Sequence, residues 1–318
     1  QQGVAAHQRH FLEREFGKNR ADRLQPVMQE AYRLAYIRKP EFMGNTRTEE
    51  KDPKFKVISD LPWSEQEINE RLAAYRQLSD KVEQEWHALP AQKKETYFQL
   101  VKYPVQAAAQ MNNKLLTAQL ARHGKADWAD SDRAYDSIVS LTKTYNTTKW
   151  NRMMDFQPRR LLVFNRVERK ALSSGLLEKP QAVYTWNGAD CVEGASVICE
   201  GLGYEGKAVA VEKKKELTFE FAAWETDSVE VEVRLLPNHP VEGERLRFTI
   251  SLDGSATEAV SYETKGRSEE WKENVLCNQA VRRMILPVAR KASHRLIFTA
   301  LDEGVVLDQI CLYMPRIK

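Results

Sequence analysis

Apolar positions recur at intervals of three and four through the first half of the chain, which is the signature of amphipathic helices. Residues 4–17 set Ala5, Phe11 and Phe16 among charges and close at Gly17. Residues 19–38 repeat Leu24, Val27, Met28, Ala31, Leu34 and Ala35 at helical spacing. Pro26 is placed in a first turn of that helix, where its missing N–H would have no partner, and Pro40 stops it. Residues 45–60 are charged and aperiodic and read as a long loop. Ser64-Glu65-Gln66-Glu67 has the form of a capping box, and behind it Ile68, Leu72, Tyr75, Val82, Trp86 and Leu89 make one stripe. A long helix follows Pro90, with Tyr97, Leu100, Val101, Ala108, Met111, Leu115 and Leu120 on its buried face. Pro104 lies inside that pattern and predicts a kink. Gly124 reads as a left-handed cap. A further helix begins near Asp127 and aligns Ala134, Ile138, Leu141 and Tyr145.

After a linker at residues 161–177 the period changes from 3.6 to 2. Leu217, Phe219 and Phe221 alternate with polar neighbours, as do Val229, Val231, Val233 and Leu235, and then Leu246, Phe248, Ile250 and Leu252. Leu296 and Phe298 continue the pattern, and residues 305–313 form a last strand. One apolar and one polar face per strand is the antiparallel arrangement. Asp253-Gly254 and Glu303-Gly304 supply turns between strands. The expected fold class is an N-terminal α-helical bundle, residues 1–170, followed by an antiparallel β-sandwich of jelly-roll type, residues 171–318.

Charge supports the division. The chain has 318 residues and a formal net charge of +3, but residues 1–170 hold 30 Lys+Arg against 22 Asp+Glu and residues 171–318 hold 18 against 23. The basic residues are mixed with acids on every helix, which does not make a nucleic-acid footprint. No apolar run is long enough to span a membrane. The chain opens Gln1-Gln2-Gly3 without Met, so either a signal was removed or a longer polypeptide precedes it. Cys191, Cys199, Cys277 and Cys311 all fall in the β half without a C-x-x-C pair, and they read as small buried apolar residues. No spacing suits zinc, and no glycine-rich cofactor motif is present, so neither metal nor cofactor is expected.

Candidate chemistry is sparse. Hydrolysis of a glycosidic bond needs two carboxyl groups set by their separation, and no pair is marked among 45 acidic residues. Glu41 beside Arg38 and Lys39, and Asp155 after Trp150-Asn151, are the acids to inspect, although an ion pair pinning the helix end is the better explanation of each. His7 and His10 are spaced for a metal but lack a third ligand, and a solvated first turn accounts for them. Trp186, Trp224 and Trp271 lie outside the alternating runs. Rings so placed either pack the sandwich rim or stack on sugar faces.

The motifs Arg38-Lys39-Pro40-Glu41-Phe42-Met43-Gly44, Tyr103-Pro104-Val105, Tyr145-Asn146, Lys149-Trp150-Asn151 and Met153-Met154-Asp155, in that order, resemble the C-terminal portion of glycoside hydrolase family 115. Those enzymes are xylan α-1,2-glucuronidases that remove (4-O-methyl)glucuronic acid side chains. The resemblance implies a catalytic barrel first, then a helical bundle and a β-sandwich in the order read here. It also implies that the catalytic acids belong to the preceding domains, so no catalytic residue is assigned in this chain. Arg38, Glu41, Trp150 and Asn151, in the matching motifs, are the candidates for substrate contact. Many members continue the Trp-Asn segment with His and a run to Gly-Tyr-Thr; this chain has Arg152 and then Phe156-Gln157-Pro158-Arg159-Arg160. The expectation is a non-catalytic C-terminal region that supports the catalytic domain of the same parent polypeptide. It would meet glucuronoxylan through that parent, outside the cell or in the periplasm, with a homodimer interface left open. The alternative is a carbohydrate-binding or protein-interaction module without a hydrolase partner.

Overall fold

The computed structural model describes residues 3–315 apart from 48–49, 159–160, 171–174, 195–196, 263–265 and 267. The chain divides into two compact units, Gln1–Lys179 and Pro180–Lys318.

The first unit is helical: α1 (Val4–Phe16), α2 (Lys18–Ile37), α3 (Glu65–His87), α4 (Ala91–Tyr97), α5 (Tyr103–Arg122) and α6 (Trp128–Asn146). The capping box forms: Ser64 Oγ accepts from Glu67 N–H at 3.3 Å, and Glu67 Oε2 accepts from Ser64 N–H at 2.7 Å. Ser64→Ala should therefore lower stability by ~1 kcal/mol, read as a shift in the denaturation midpoint. Asp127 caps α6 by accepting from the Ala129 N–H. Gly124 takes φ 70° and its N–H bonds the Ala121 carbonyl, while Lys125 N–H reaches the Leu120 carbonyl, so the glycine ends α5 as a left-handed cap.

The two prolines behave differently from expectation. Pro26 lies deep inside α2, well past its first turn. It is tolerated because both Pro26 and Asp22, whose carbonyl it leaves unmatched, are on the exposed face, where water can serve that carbonyl. Ahead of Pro104 the chain forms a π-helical turn, Phe98–Lys102, joining α4 to α5. Tyr103 N–H bonds the Phe98 carbonyl across the wider turn. Widening the ladder just before Pro104 relieves the clash its ring would make with a tight α turn.

Two apolar clusters hold the unit. One joins Leu12, Phe16, Leu24, Leu34, Tyr75, Val82, Tyr97 and Val105. The other joins Met43, Leu61, Ile68, Met111, Leu115 and Leu116 and also takes Val163 and Val167. Trp86 is half-buried at the rim of the first, with the Lys94 and Lys102 ammonium groups over its ring. The expected linker at residues 161–177 is packed where it is described: Leu161, Phe164 and Leu176 lie on the second cluster, and Lys179 pairs with Glu67 at 2.9 Å. That packing carries the first unit to residue 179, beyond the expected 170.

The second unit is two antiparallel sheets. The first has the order β2-β3-β11-β5-β9, with β1 also on β11; the second has β4-β10-β6-β7, with β8 also on β6. The strands are β1 (Tyr184–Asn187), β2 (Val197–Glu200), β3 (Lys207–Ala210), β4 (Glu216–Ala222), β5 (Ser228–Leu235), β6 (Leu246–Leu252), β7 (Ser255–Ala256), β8 (Val260–Tyr262), β9 (Ala280–Pro287), β10 (Ser293–Ala300) and β11 (Val306–Tyr313). Register follows the alternation: Leu296 stands opposite both Phe219 and Leu252, so apolar side chains share one face. Phe219, Phe248, Phe298, Val231, Ile310 and Leu312 meet in a single core. One element went unforeseen. Helix α7 (Glu269–Cys277) precedes β9, capped where Ser268 Oγ accepts from the Trp271 N–H.

Candidate functional site

The motifs named from the sequence converge partly in space. Tyr103, at the start of α5, meets Tyr145, near the end of α6, with ring centroids 4.8 Å apart, and both lie on Phe98 of the π turn. The Tyr103 hydroxyl is 3.1 Å from Thr142 Oγ1. On this aromatic seat stands the loop of residues 147–155. Asn146 fastens it with both ends of its amide, donating Nδ2–H to the Met154 carbonyl at 2.8 Å and accepting from Met154 N–H at 3.1 Å. Thr147 and Thr148 hydroxyls each bond back into the last turn of α6 at 2.7 Å. Trp150 is 37% exposed and Met153 64% exposed. Asn151 and Arg152 are also exposed, and Arg152 holds φ 61°. Lys149 Nζ lies over the Trp150 ring at 5.4 Å and 3.8 Å from Glu95. Asp155 is exposed and accepts from the Gln157 N–H. Arg159 and Arg160 lie outside the described residues.

Arg38 belongs elsewhere. It is 2% exposed, and its guanidinium donates to the Phe42 carbonyl at 2.9 and 2.8 Å and to Asn45 Oδ1 at 3.3 Å. It folds the 38–45 turn that seats Met43 in the core, so its work is structural. Glu41 points away, exposed on the one-turn helix Pro40–Phe42. The turn packs at the level of Met111 and Leu115, whereas the Trp150 loop packs at Glu95 and Tyr103, so the four candidates do not share one site.

The tryptophans of the β unit also separate. Trp224 is 8% exposed, packs on Phe221 and donates Nε1–H to the Ser228 carbonyl, so it offers no face to a sugar. Trp186 is half-buried on β1, stacked on Tyr184 at 5.2 Å and 9° and backed by Phe219. Trp271 is half-buried on α7 against His239 at 5.6 Å. His7 and His10 are exposed on α1. Among the described residues no cluster of His, Cys, Asp or Glu is placed to hold a metal ion.

Sequence reading missed the buried ionisable groups. Lys114, wholly inside α5, donates to the Val163 carbonyl at 2.6 Å and the Asn165 carbonyl at 2.8 Å. Burial drives its ammonium down to about 7. Asp60 takes Arg122 Nε and His123 Nε2, each at 2.6 Å. Glu232 on β5 is 2% exposed; burial would raise its pKa, but Arg234 and Arg283 outweigh that and hold it below the ordinary carboxylate range. Asp253 likewise faces burial and is held low by the hydrogen bond from His294, 2.8 Å away. Asp308 goes the other way: burial raises it, against hydrogen bonds from Gln279 and the Tyr204 N–H. At 1% exposure it has no route to a substrate. These inward carboxylates are thus absorbed in internal ion pairs and hydrogen bonds.

Residues 195–318 match the family model described as "Glycosyl hydrolase family 115 C-terminal domain". The chain carries a family 115 C-terminal domain. A solved structure, that of a family GH115 4-O-methyl-alpha-glucuronidase, BtGH115A, with specificity for decorated arabinogalactans, is 61% identical and superposes with a TM-score of 0.96. The match covers 99% of this chain and 42% of that one, so the family 115 chain here spans less than half of that enzyme's length. The resemblance drawn from the motifs therefore holds at the level of the family. Two carbohydrate-binding modules also match at low similarity. A family 35 module from Clostridium thermocellum is 10% identical over 42% of this chain and 98% of its own, with a TM-score of 0.33. CBM6cm-2 from Cellvibrio mixtus lichenase 5A, in complex with cellotriose, is 13% identical over 43% and 100%, with a TM-score of 0.33. Nothing about function is drawn from either. No curated protein matches the chain.

Proposed function

We propose that the chain is the non-catalytic support region of an α-glucuronidase that releases (4-O-methyl)glucuronic acid from polysaccharide side chains, acting where such polysaccharides are, outside the cell or in the periplasm. The observation that carries the reading is the 61% identity over 99% of the chain to a 4-O-methyl-alpha-glucuronidase. The non-catalytic part draws on the carboxylates: Asp60 and Glu232 are tied to arginines and Asp253 to His294, and a glycosidase needs two acids free to flank one bond. For the glycan, the same identity favours decorated arabinogalactan over the xylan side chains expected from the motifs. Of the proposed substrate contacts, Trp150 and Asn151 keep exposed side chains, whereas Arg38 is consumed by the fold.

The deciding assay is release of 4-O-methylglucuronic acid from decorated arabinogalactan and from glucuronoxylan, by this chain alone and by the longer parent polypeptide. The parent should release the acid, faster from arabinogalactan, and the chain alone should release none. Turnover by the chain alone would sink the non-catalytic reading, and a parent inert on both glycans would sink the α-glucuronidase reading.

A further inference from the structure

We propose that the edge strand β2 and the turn after it are the surface on which the β unit docks the part of the parent polypeptide outside this chain; the inference rests on the support-region reading and names the face that would carry it. Val197 and Ile198 are 65% and 54% exposed, and Val192, Leu202 and Tyr204 beside them are exposed as well. Successive side chains of a strand point to opposite faces, so Val197 and Ile198 make β2 apolar on both. A strand at the edge of a sheet in water ordinarily carries a polar face or a charge that keeps other chains away. The opposite edge of the same sheet shows that guard: β9 bears Arg282 and Arg283 and closes at Pro287. On β2 the single polar side chain is Glu200, at its end. Among the described residues β2 is hydrogen-bonded on one side only, to β3. Its outer backbone edge lies open beside the apolar side chains.

The turn that follows is held firmly. Asp308, buried on β11, accepts from the Tyr204 N–H and from Gln279 Nε2, each at 2.9 Å. Gly203, at φ 92°, makes room for that carboxylate: a Cβ there would stand 2.4 Å from Asp308 Oδ1. A buried acid thus fixes a turn whose side chains Leu202 and Tyr204 stay in water. Size then selects the occupant. Fully burying one such side chain removes roughly 60–120 Å² from water at the usual transfer coefficient, so five that are already partly covered offer a face on the order of 300–400 Å². That is short of the ~800 Å² per partner of a stable association between free proteins, a second copy of this chain included. It falls within the ~300–750 Å² per side of an interface between domains of one chain. Linkage supplies such a partner at millimolar effective concentration, so a small face suffices. The 4-O-methyl-alpha-glucuronidase that matches at 61% identity has more than half of its length outside the match, which is where a linked partner would come from.

The test is hydroxyl-radical footprinting of this chain alone and of the longer parent, read residue by residue by mass spectrometry. In the parent, oxidation of Ile198, Leu202 and Tyr204 should be at least about threefold slower than in the chain alone, because the packing at the centre of an interface matches a protein interior. Ile198→Lys sets a charge at the middle of the face, where burial without a partner is costly. In the chain alone its side chain stands in water, so the thermal midpoint should be unchanged. In the parent the same substitution should return Leu202 and Tyr204 to the oxidation rates of the isolated chain. Equal rates in the wild-type chain and parent would overturn the proposal whether or not the variant folds. So would protection in the chain alone that grows with its concentration, since a second copy would then be the occupant, and so would protection in the parent that survives Ile198→Lys. A parent that releases glucuronic acid while these residues are oxidised as fast as in the chain alone defeats this inference and leaves the enzymatic reading; an inert parent in which they are protected does the reverse.

Discussion

Arg71→Met should destabilise the helical unit by about 3–5 kcal/mol. Arg71 projects from α3 into the interior and is 6% exposed. Its Nε donates to Asn112 Oδ1 at 2.7 Å, and its NH2 group donates to the Leu34 carbonyl at 2.9 Å and the Arg38 carbonyl at 2.8 Å. Leu34 and Arg38 stand at the end of α2, where carbonyls run short of helical donors; the Leu34 carbonyl also takes the Arg38 N–H at 3.3 Å. One guanidinium thus closes the C-terminus of α2 and ties it to α3 and α5. Trp63 and Tyr75 hold the cation between their rings at 5.1 and 5.3 Å. Methionine keeps the stem between those rings but takes this donor from three buried acceptors; the Leu34 carbonyl retains the Arg38 N–H, and the other two cost ~1–3 kcal/mol each. Lysine keeps the charge but cannot present the planar fork, so Arg71→Lys should fall between. Chemical denaturation followed by far-UV circular dichroism gives the number. A loss under ~1 kcal/mol, the scale of an exposed ion pair, would show that water had taken over the acceptors.

The position of Arg71 also explains why it escaped the sequence reading. Ile68, Arg71, Tyr75, Leu78 and Val82 step by three and four along α3, and every one of them is buried. From sequence, charge marks arginine as surface, and the stripe reads through half-buried Leu72 in its place. Lys114 hides the same way between Met111 and Leu115. The usable signal in both cases is a cation at a core position of an otherwise regular stripe. By contrast Ser64 and Gly124 were legible, because a cap depends on the few residues around it. Pro26 was not, since its cost depends on which face of α2 meets water. In the β unit the alternation of β4, β5 and β6 was plain, while β11 broke it. Its register shifts between Leu307 and Gln309, and all eight residues are buried, polar Asp308 and Gln309 included. Helix α7 was obscured by its polar composition, and the family was legible only through short motifs, because no constellation of side chains announces its chemistry.

The second large effect is a dependence on pH that Lys114 should impose on the helical unit. In the unfolded chain its amine titrates near the ordinary lysine value; folded, burial lowers it to about 7. Above pH ~7 the folded protein has released a proton that the unfolded chain still binds, so stability must rise with pH. The slope approaches 1.4 kcal/mol per pH unit where one proton separates the states, which is ~2–3 kcal/mol between pH ~7 and ~9. Below pH ~7 both states are protonated and this contribution is flat. The upper limit of the window is set by the tyrosines: burial raises Tyr97, so above pH ~10 unfolded tyrosines ionise while Tyr97 stays neutral, and stability falls again. The carbonyls of Val163 and Asn165 and the Tyr135 ring at 5.8 Å oppose the fall in pKa by favouring the charged amine, so the measured slope should lie below the limit. The neutral amine still has N–H groups for both carbonyls, so the tail at residues 163–165 stays pinned across the range. Lys114→Met removes the titration and orphans both carbonyls; it should flatten the profile and lower stability at pH ~9 by several kcal/mol. Denaturation midpoints of the two proteins across that range decide it, and parallel profiles would mean that Lys114 stays charged in the folded interior.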